Sequence, residues 1–128
     1  MIKKFAKISM LLVIAVLLLS ACGGGAEETT EPEMFRVAVV MPSAISDLAF
    51  SQSMYDALSA IQAERGADKF EFVYSESMFV VDDAATAIRD YATQGYNLII
   101  AHGSQYGSSL QEIAPDFPET SFAWGTTV

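Results

Sequence analysis

Residues 92–101 read Ala92-Thr93-Gln94-Gly95-Tyr96-Asn97-Leu98-Ile99-Ile100-Ala101. The stretch 97–101 is the most continuous strand pattern in the chain. A strand of successive apolar residues has no polar face, so it belongs in a parallel sheet covered by helices on both sides. Gly95 just upstream is a helix stop signal, so a helix precedes the strand. In that helix Asp82 and Asp83 supply cap oxygens, and Ala85, Ile88 and Ala92 face inward. Further upstream, 70–74 reads as a strand. A second helical pattern, Phe50, Met54, Leu58 and Ile61, lies between cap candidates Ser46 and Asp47 and a stop at Gly66. The β-branched-rich stretch 35–41 is a strand halted by Pro42. Downstream, a short helix over 107–114 is closed by Pro115 and Pro118, and 120–124 is a last strand.

Strands alternating with helices through short loops define an α/β fold with a doubly wound, Rossmann-like parallel sheet. Ligands of such sheets collect beyond the carboxyl ends of the strands, where helix N-termini present unpaired N–H groups. The segments that matter are therefore 42–50, 75–83, 102–108 and 125 onward. Four strands with three helices leave one face of the sheet short of a helix, so the chain is expected to be part of a larger lobe. The alternative is a small flavodoxin-like domain complete at four strands.

The amino-terminal segment differs in kind. Residues 1–21 carry Lys3, Lys4 and Lys7, then an apolar run over 8–19, then Ser20 and Ala21, the plan of an export signal. The run is shorter than the roughly twenty residues a spanning helix needs. Leu19-Ser20-Ala21-Cys22 resembles the bacterial lipobox, which implies that Cys22 becomes the first mature residue and carries a diacylglycerol on its sulfur. Two or more acyl chains give stable anchoring, each buried methylene contributing about 0.8 kcal/mol. The competing reading is a plain signal peptide with an incidental cysteine. Residues 22–34 are small, acidic and aperiodic, as in a flexible tether, and 35–128 form the α/β part.

With three of its seven basic residues in the leader, the rest of the chain sets four cations against sixteen acids, a formal −12. Such a surface repels phosphate backbones, so nucleic acid is not an expected partner. One cysteine excludes an internal disulfide and paired-cysteine metal sites. No phosphate-loop, zinc-helix or nucleophile-elbow motif is present. His102, the only histidine, lacks neighbouring acids for a metal site. It stands where the third strand emerges, either as a ligand hydrogen-bonder or as a structural histidine. Ser104, Ser108 and Ser109 have no visible base partner, so an enzyme is not expected and no cofactor is called for. Asp47 and Phe50 at the first turn of their helix can point together into a cleft, one accepting hydrogen bonds and one presenting a flat face. They read equally well as a cap followed by a core aromatic.

The stretch Asp47-Leu48-Ala49-Phe50-Ser51-Gln52-Ser53-Met54-Tyr55-Asp56-Ala57-Leu58 resembles the D-x-x-F-N-x-x-x-Y-x-G-L signature of the basic membrane protein (PnrA-like) family. These are substrate-binding lipoproteins of ABC importers that include bacterial purine nucleoside receptors. Ser51 replaces the usual asparagine and Ala57 the usual glycine. Residues 92–100 resemble the family run A-x-Q-G-Y-D-L-I-I, and residues 113–123 resemble V-A-x-x-Y-P-D-x-x-F-A. The resemblance implies a type I periplasmic-binding-protein fold of which this chain is part of the first lobe. It also implies a small nucleoside-like ligand and an ABC permease as partners, and a lipid-anchored place on the extracytoplasmic face of the cell membrane. By position Asp47 would hydrogen-bond the ligand and Phe50 would stack on it. His102, Gly103 and Ser104 would line the cleft, with Trp124 closing the fourth strand. Trp124-Gly125-Thr126 stands where nucleoside receptors have an acidic residue, and His102-Gly103-Ser104-Gln105-Tyr106 replaces a glycine-rich G-x-G-F. A surface sensor of the same fold, signalling to a membrane partner, is the alternative role.

Overall fold

The computed structural model describes residues 33–125. The expected leader, Cys22 and most of the tether lie outside the described residues, as does 126–128. The strand β1 (Phe35–Val40) is the centre of the sheet. Its residues alternate between two faces, and from Val37 to Val40 it is buried on both. Helix α1 (Phe50–Arg65) follows, then β2 (Phe70–Ser75), α2 (Val81–Thr93) and β3 (Leu98–His102). A 3₁₀ turn (Ser104–Tyr106) leads into α3 (Gly107–Ile113), and after a second 3₁₀ turn the last strand is β4 (Ser121–Gly125).

All pairings are parallel and the order is β2-β1-β3-β4. The connection through α1 steps from β1 to one neighbour, and that through α2 passes over β1 to reach the other. Right-handed crossovers in opposite directions put the helices on opposite faces. Accordingly α1 packs its Leu58 and Met54 on Val37, Val39, Met41 and Ile100, whereas α2 and α3 pack Ala84, Ile88, Ala92, Leu110 and Ile113 on Ala38, Val40, Ile99 and Ala101. Alanines at 38, 84 and 101, all fully buried, let α2 approach the sheet closely. At β1 and β3 the outgoing chains diverge to opposite faces, which makes the carboxyl ends of these two strands the topological switch point.

The geometry at the amino edge is structural. Asn97 accepts the Arg36 N–H through its Oδ1 at 2.7 Å and donates its own N–H to the Arg36 carbonyl at 2.9 Å. Arg36 lies 4.0 Å over the Tyr96 ring. The Gly95-Tyr96-Asn97 segment thus sets the β1–β3 register, with Gly95 in the left-handed region at φ 74°.

Three packing expectations change. Asp82 and Asp83 do not cap α2: the cap position is Val80, with no side-chain bond, and the two acids sit in the first turn. There they favour the positive end of the helix dipole without closing an N–H. Ala84 rather than Ala85 takes the fully buried place beside Ile88, because i and i+4 share the inner face. Ile61 is exposed, bordering a hollow at the amino edge beside Phe35 and Phe70. No described helix is long and apolar enough to cross a membrane.

Candidate functional site

The loop between β1 and α1 and the loop between β2 and α2 are sewn together. Met41 donates to the Ser75 carbonyl and accepts from Met78, both at 2.9 Å, while Ser77 donates to the Ser43 carbonyl at 3.1 Å. The Ile45 N–H bonds the Glu76 carboxylate at 2.7 Å. From the third strand's side, the Tyr106 hydroxyl donates to the Met78 carbonyl at 2.6 Å. Tyr106 is fully buried, and loss of solvation pushes its hydroxyl pKa up to about 12. The result is a firm platform at the carboxyl ends of β1, β2 and β3. Its outer rim carries exposed Leu48, Phe79 and Val80, with Leu48 and Ser77 both at φ 59°.

Asp47 organises the start of α1. Its Oδ1 accepts the N–H groups of Ala49 at 2.9 Å and Gln52 at 3.2 Å, and its Oδ2 accepts that of Ser51 at 3.0 Å. The Ser51 N–H is the main cause of a carboxyl pKa held below its ordinary value; burial opposes it, and Ala49, Gln52 and the Ser43 hydroxyl add to it. A carboxylate has about four acceptor directions, and the three N–H groups together with the Ser43 hydroxyl take them up. Of the two roles the sequence left open for Asp47, the structure shows the cap; a ligand donor would have to share an oxygen with the Ser43 hydroxyl or displace it. Ser51, at the family's asparagine position, is fully buried and accepts the Ser43 N–H at 3.3 Å. Its bond to the loop was not readable from the sequence, where the one signal was its place at the asparagine position of the family signature.

Phe50 and His102 meet across the switch point. Their rings stack with centroids 3.8 Å apart and 11° between planes, and His102 Nε2 lies 3.1 Å from the Phe50 carbonyl oxygen. Phe50 is half-buried and His102 is buried, with Nδ1 lacking any hydrogen-bond partner among the described residues. Gly103 is buried, and a Cβ there would stand 2.7 Å from the Tyr106 ring, so the close approach requires glycine. Ser104 is exposed at the start of the 3₁₀ turn. Trp124 is set apart: its indole N–H donates to the Gly103 carbonyl at 3.0 Å, and its ring covers Gly107 on the α2–α3 face. The structure therefore brings Asp47, Phe50, His102 and Gly103 together, and gives Trp124 a bracing contact behind them. Tyr55, another match to the family signature, packs edge-on against Phe72 and Tyr74 on the outer part of the sheet.

Three hollows stand out among the described residues: one of about 310 Å³ between α2 and α3 past Asp82, Arg89 and Glu112, one of about 520 Å³ at the amino edge by Phe35, Ile61 and Lys69, and one of about 340 Å³ that reaches Ser75 and Met78 at the carboxyl end of β2. None of the three is lined by Asp47, Phe50 or His102, and an open platform encloses a ligand only when something closes over it. The described residues hold no group of three or more His, Cys, Asp or Glu placed for a metal ion.

Residues 34–125 match the family model described as ABC transporter substrate-binding protein PnrA-like. The chain is 30% identical over 107 residues to the transcriptional activator protein med of Bacillus subtilis strain 168, covering 84% of this chain and 32% of that protein. Among solved structures, an ABC transporter solute-binding protein from Conexibacter woesei DSM 14684 superposes with a TM-score of 0.55 at 27% identity, over 68% of this chain and 28% of that one. The chain spans about a third of the length of these relatives.

Proposed function

This chain belongs to the PnrA-like family of ABC transporter substrate-binding proteins, and on that premise we propose that it serves a lipid-anchored extracytoplasmic receptor for a nucleoside or related ring-bearing solute. The observation that carries the proposal is the convergence of Asp47, Phe50 and His102 at the switch point between β1 and β3. An aromatic face beside a carboxylate whose Ser43 hydroxyl contact a ligand donor can replace suits a flat ring carrying hydroxyl or amino groups. Asp47 already neutralises the start of α1, so an anionic group gains little there. Neutral solutes are favoured over phosphorylated ones. The family supports delivery to an ABC permease. The lipobox-like Leu19-Ser20-Ala21-Cys22 supports anchoring through Cys22.

A panel of inosine, adenosine, free bases, ribose and a nucleotide, read by the shift of the melting midpoint, tests the ligand class. Nucleosides are expected to raise the midpoint and the nucleotide to do less; a flat response removes the ligand claim. Mass spectrometry of protein purified from a bacterial envelope tests the anchor, since a free Cys22 thiol behind an intact leader contradicts it. A second role, ligand sensing on the same fold, draws support from the regulatory name of the Bacillus relative. Permease and ATPase genes beside this one favour transport; a kinase gene beside it favours sensing.

A further inference from the structure

We infer that His102 is a positioning residue for ligand binding: it fixes the plane of the Phe50 ring, so that one face is backed by imidazole and the remaining surface is presented to a planar solute. The inference rests on the proposed ring-bearing ligand and adds to it a residue that touches the solute only through Phe50.

Two contacts of different kinds hold the pair. The rings stack nearly parallel at 3.8 Å, and the imidazole Nε2 bonds the backbone carbonyl of the same Phe50 at 3.1 Å. A carbonyl oxygen only accepts, so Nε2 carries a proton and donates it to Phe50. Nδ1 is buried without a partner among the described residues, and a Cβ at position 125 would lie 3.2 Å from it. Glycine at 125 thus leaves space for the imidazole at the end of β4. His102 is held in turn by β3, whose register with β1 and β4 is fixed at every residue from Leu98 to Ala101. The chain of support runs from sheet to imidazole to Phe50. An aromatic side chain ordered before the ligand arrives loses no rotamer freedom on binding, which is the source of the gain.

The test uses the full chain in detergent micelles, with the fluorescence of Trp124, its only tryptophan, titrated with inosine, adenosine and ribose. His102→Gln removes the stacked ring and His102→Phe restores a ring without the Nε2 bond. The inference predicts that His102→Gln weakens inosine and adenosine binding by roughly three- to tenfold, that His102→Phe recovers most of the loss, and that ribose is bound by none of the three. Wild-type affinity in a folded His102→Gln protein, or an equal loss in His102→Phe, overturns the positioning role while leaving the ring-binding function standing. Absence of inosine and adenosine binding in the wild type overturns both. If His102→Gln fails to fold, the His102→Phe arm decides alone: near-wild-type affinity supports the role and a tenfold loss overturns it. As a ligand-free check, the nitrogen spectrum of this sole histidine should show a proton on Nε2, and an Nε2 without a proton contradicts the geometry.

Discussion

Asp47 holds three backbone N–H groups of the first turn of α1, and it does so as an anion. Because its folded pKa is depressed below the ordinary 3.8, its stabilising contribution is complete above that value and is lost as pH falls through the folded pKa. Asp47→Ala is therefore expected to lower the melting midpoint at neutral pH, with the difference from wild type narrowing in acid below 3.8; melts monitored by circular dichroism across that range check this. Tyr106 works in the opposite direction. Its hydroxyl is raised from 10.0 to about 12, so the neutral form is favoured in the folded chain and stability falls as pH rises between those values. Tyr106→Phe should abolish that alkaline loss and cost about 1 kcal/mol near neutrality, by leaving the Met78 carbonyl without its donor. At Gly107 a Cβ would fall 2.3 Å from the Trp124 ring. Gly107→Ala should destabilise by about 1–3 kcal/mol and shift the emission of the single tryptophan.

At the scale of elements, the strands and helices were legible because apolar period and punctuation agree. The run at 97–101 became β3, shifted by one residue so that His102 is its last. Gly66 and Gly95 take the positive φ that a stop requires. What could not be read was which of two adjacent small residues turns inward. Ala84 and Ala85 are indistinguishable by hydropathy, and the i, i+4 partnership with Ile88 under the crossover decides between them. For the same reason Asp82 and Asp83 passed for caps, although the helix starts one residue before them. Ile88, fully buried between α2 and the sheet, is the most exacting position of that layer. Ile88→Ala is expected to cost about 2–5 kcal/mol, read by urea denaturation at unchanged slope. Ile61→Ala, at an exposed position, should cost far less.

At the scale of the whole molecule, the strand order β2-β1-β3-β4 sets the switch point between β1 and β3, where the proposed site lies, before any side chain is considered. The sequence could name Asp47, Phe50, His102 and Gly103 as neighbours of that edge, because each follows a strand or opens a helix. It could not reveal that Phe50 and His102 stack, since 52 residues separate them and only the sheet brings them together. Nor could it reveal that the Trp124 indole bonds the Gly103 carbonyl behind the platform, a contact set by the β3–β4 register. The central claim is that the Phe50 face at this edge holds a ring-bearing solute. Titration calorimetry of the full chain with inosine, wild type beside Phe50→Ala, tests it most directly. Saturable binding that weakens at least tenfold in the folded variant is the predicted result, and equal binding by both proteins, or none by the wild type, would contradict it.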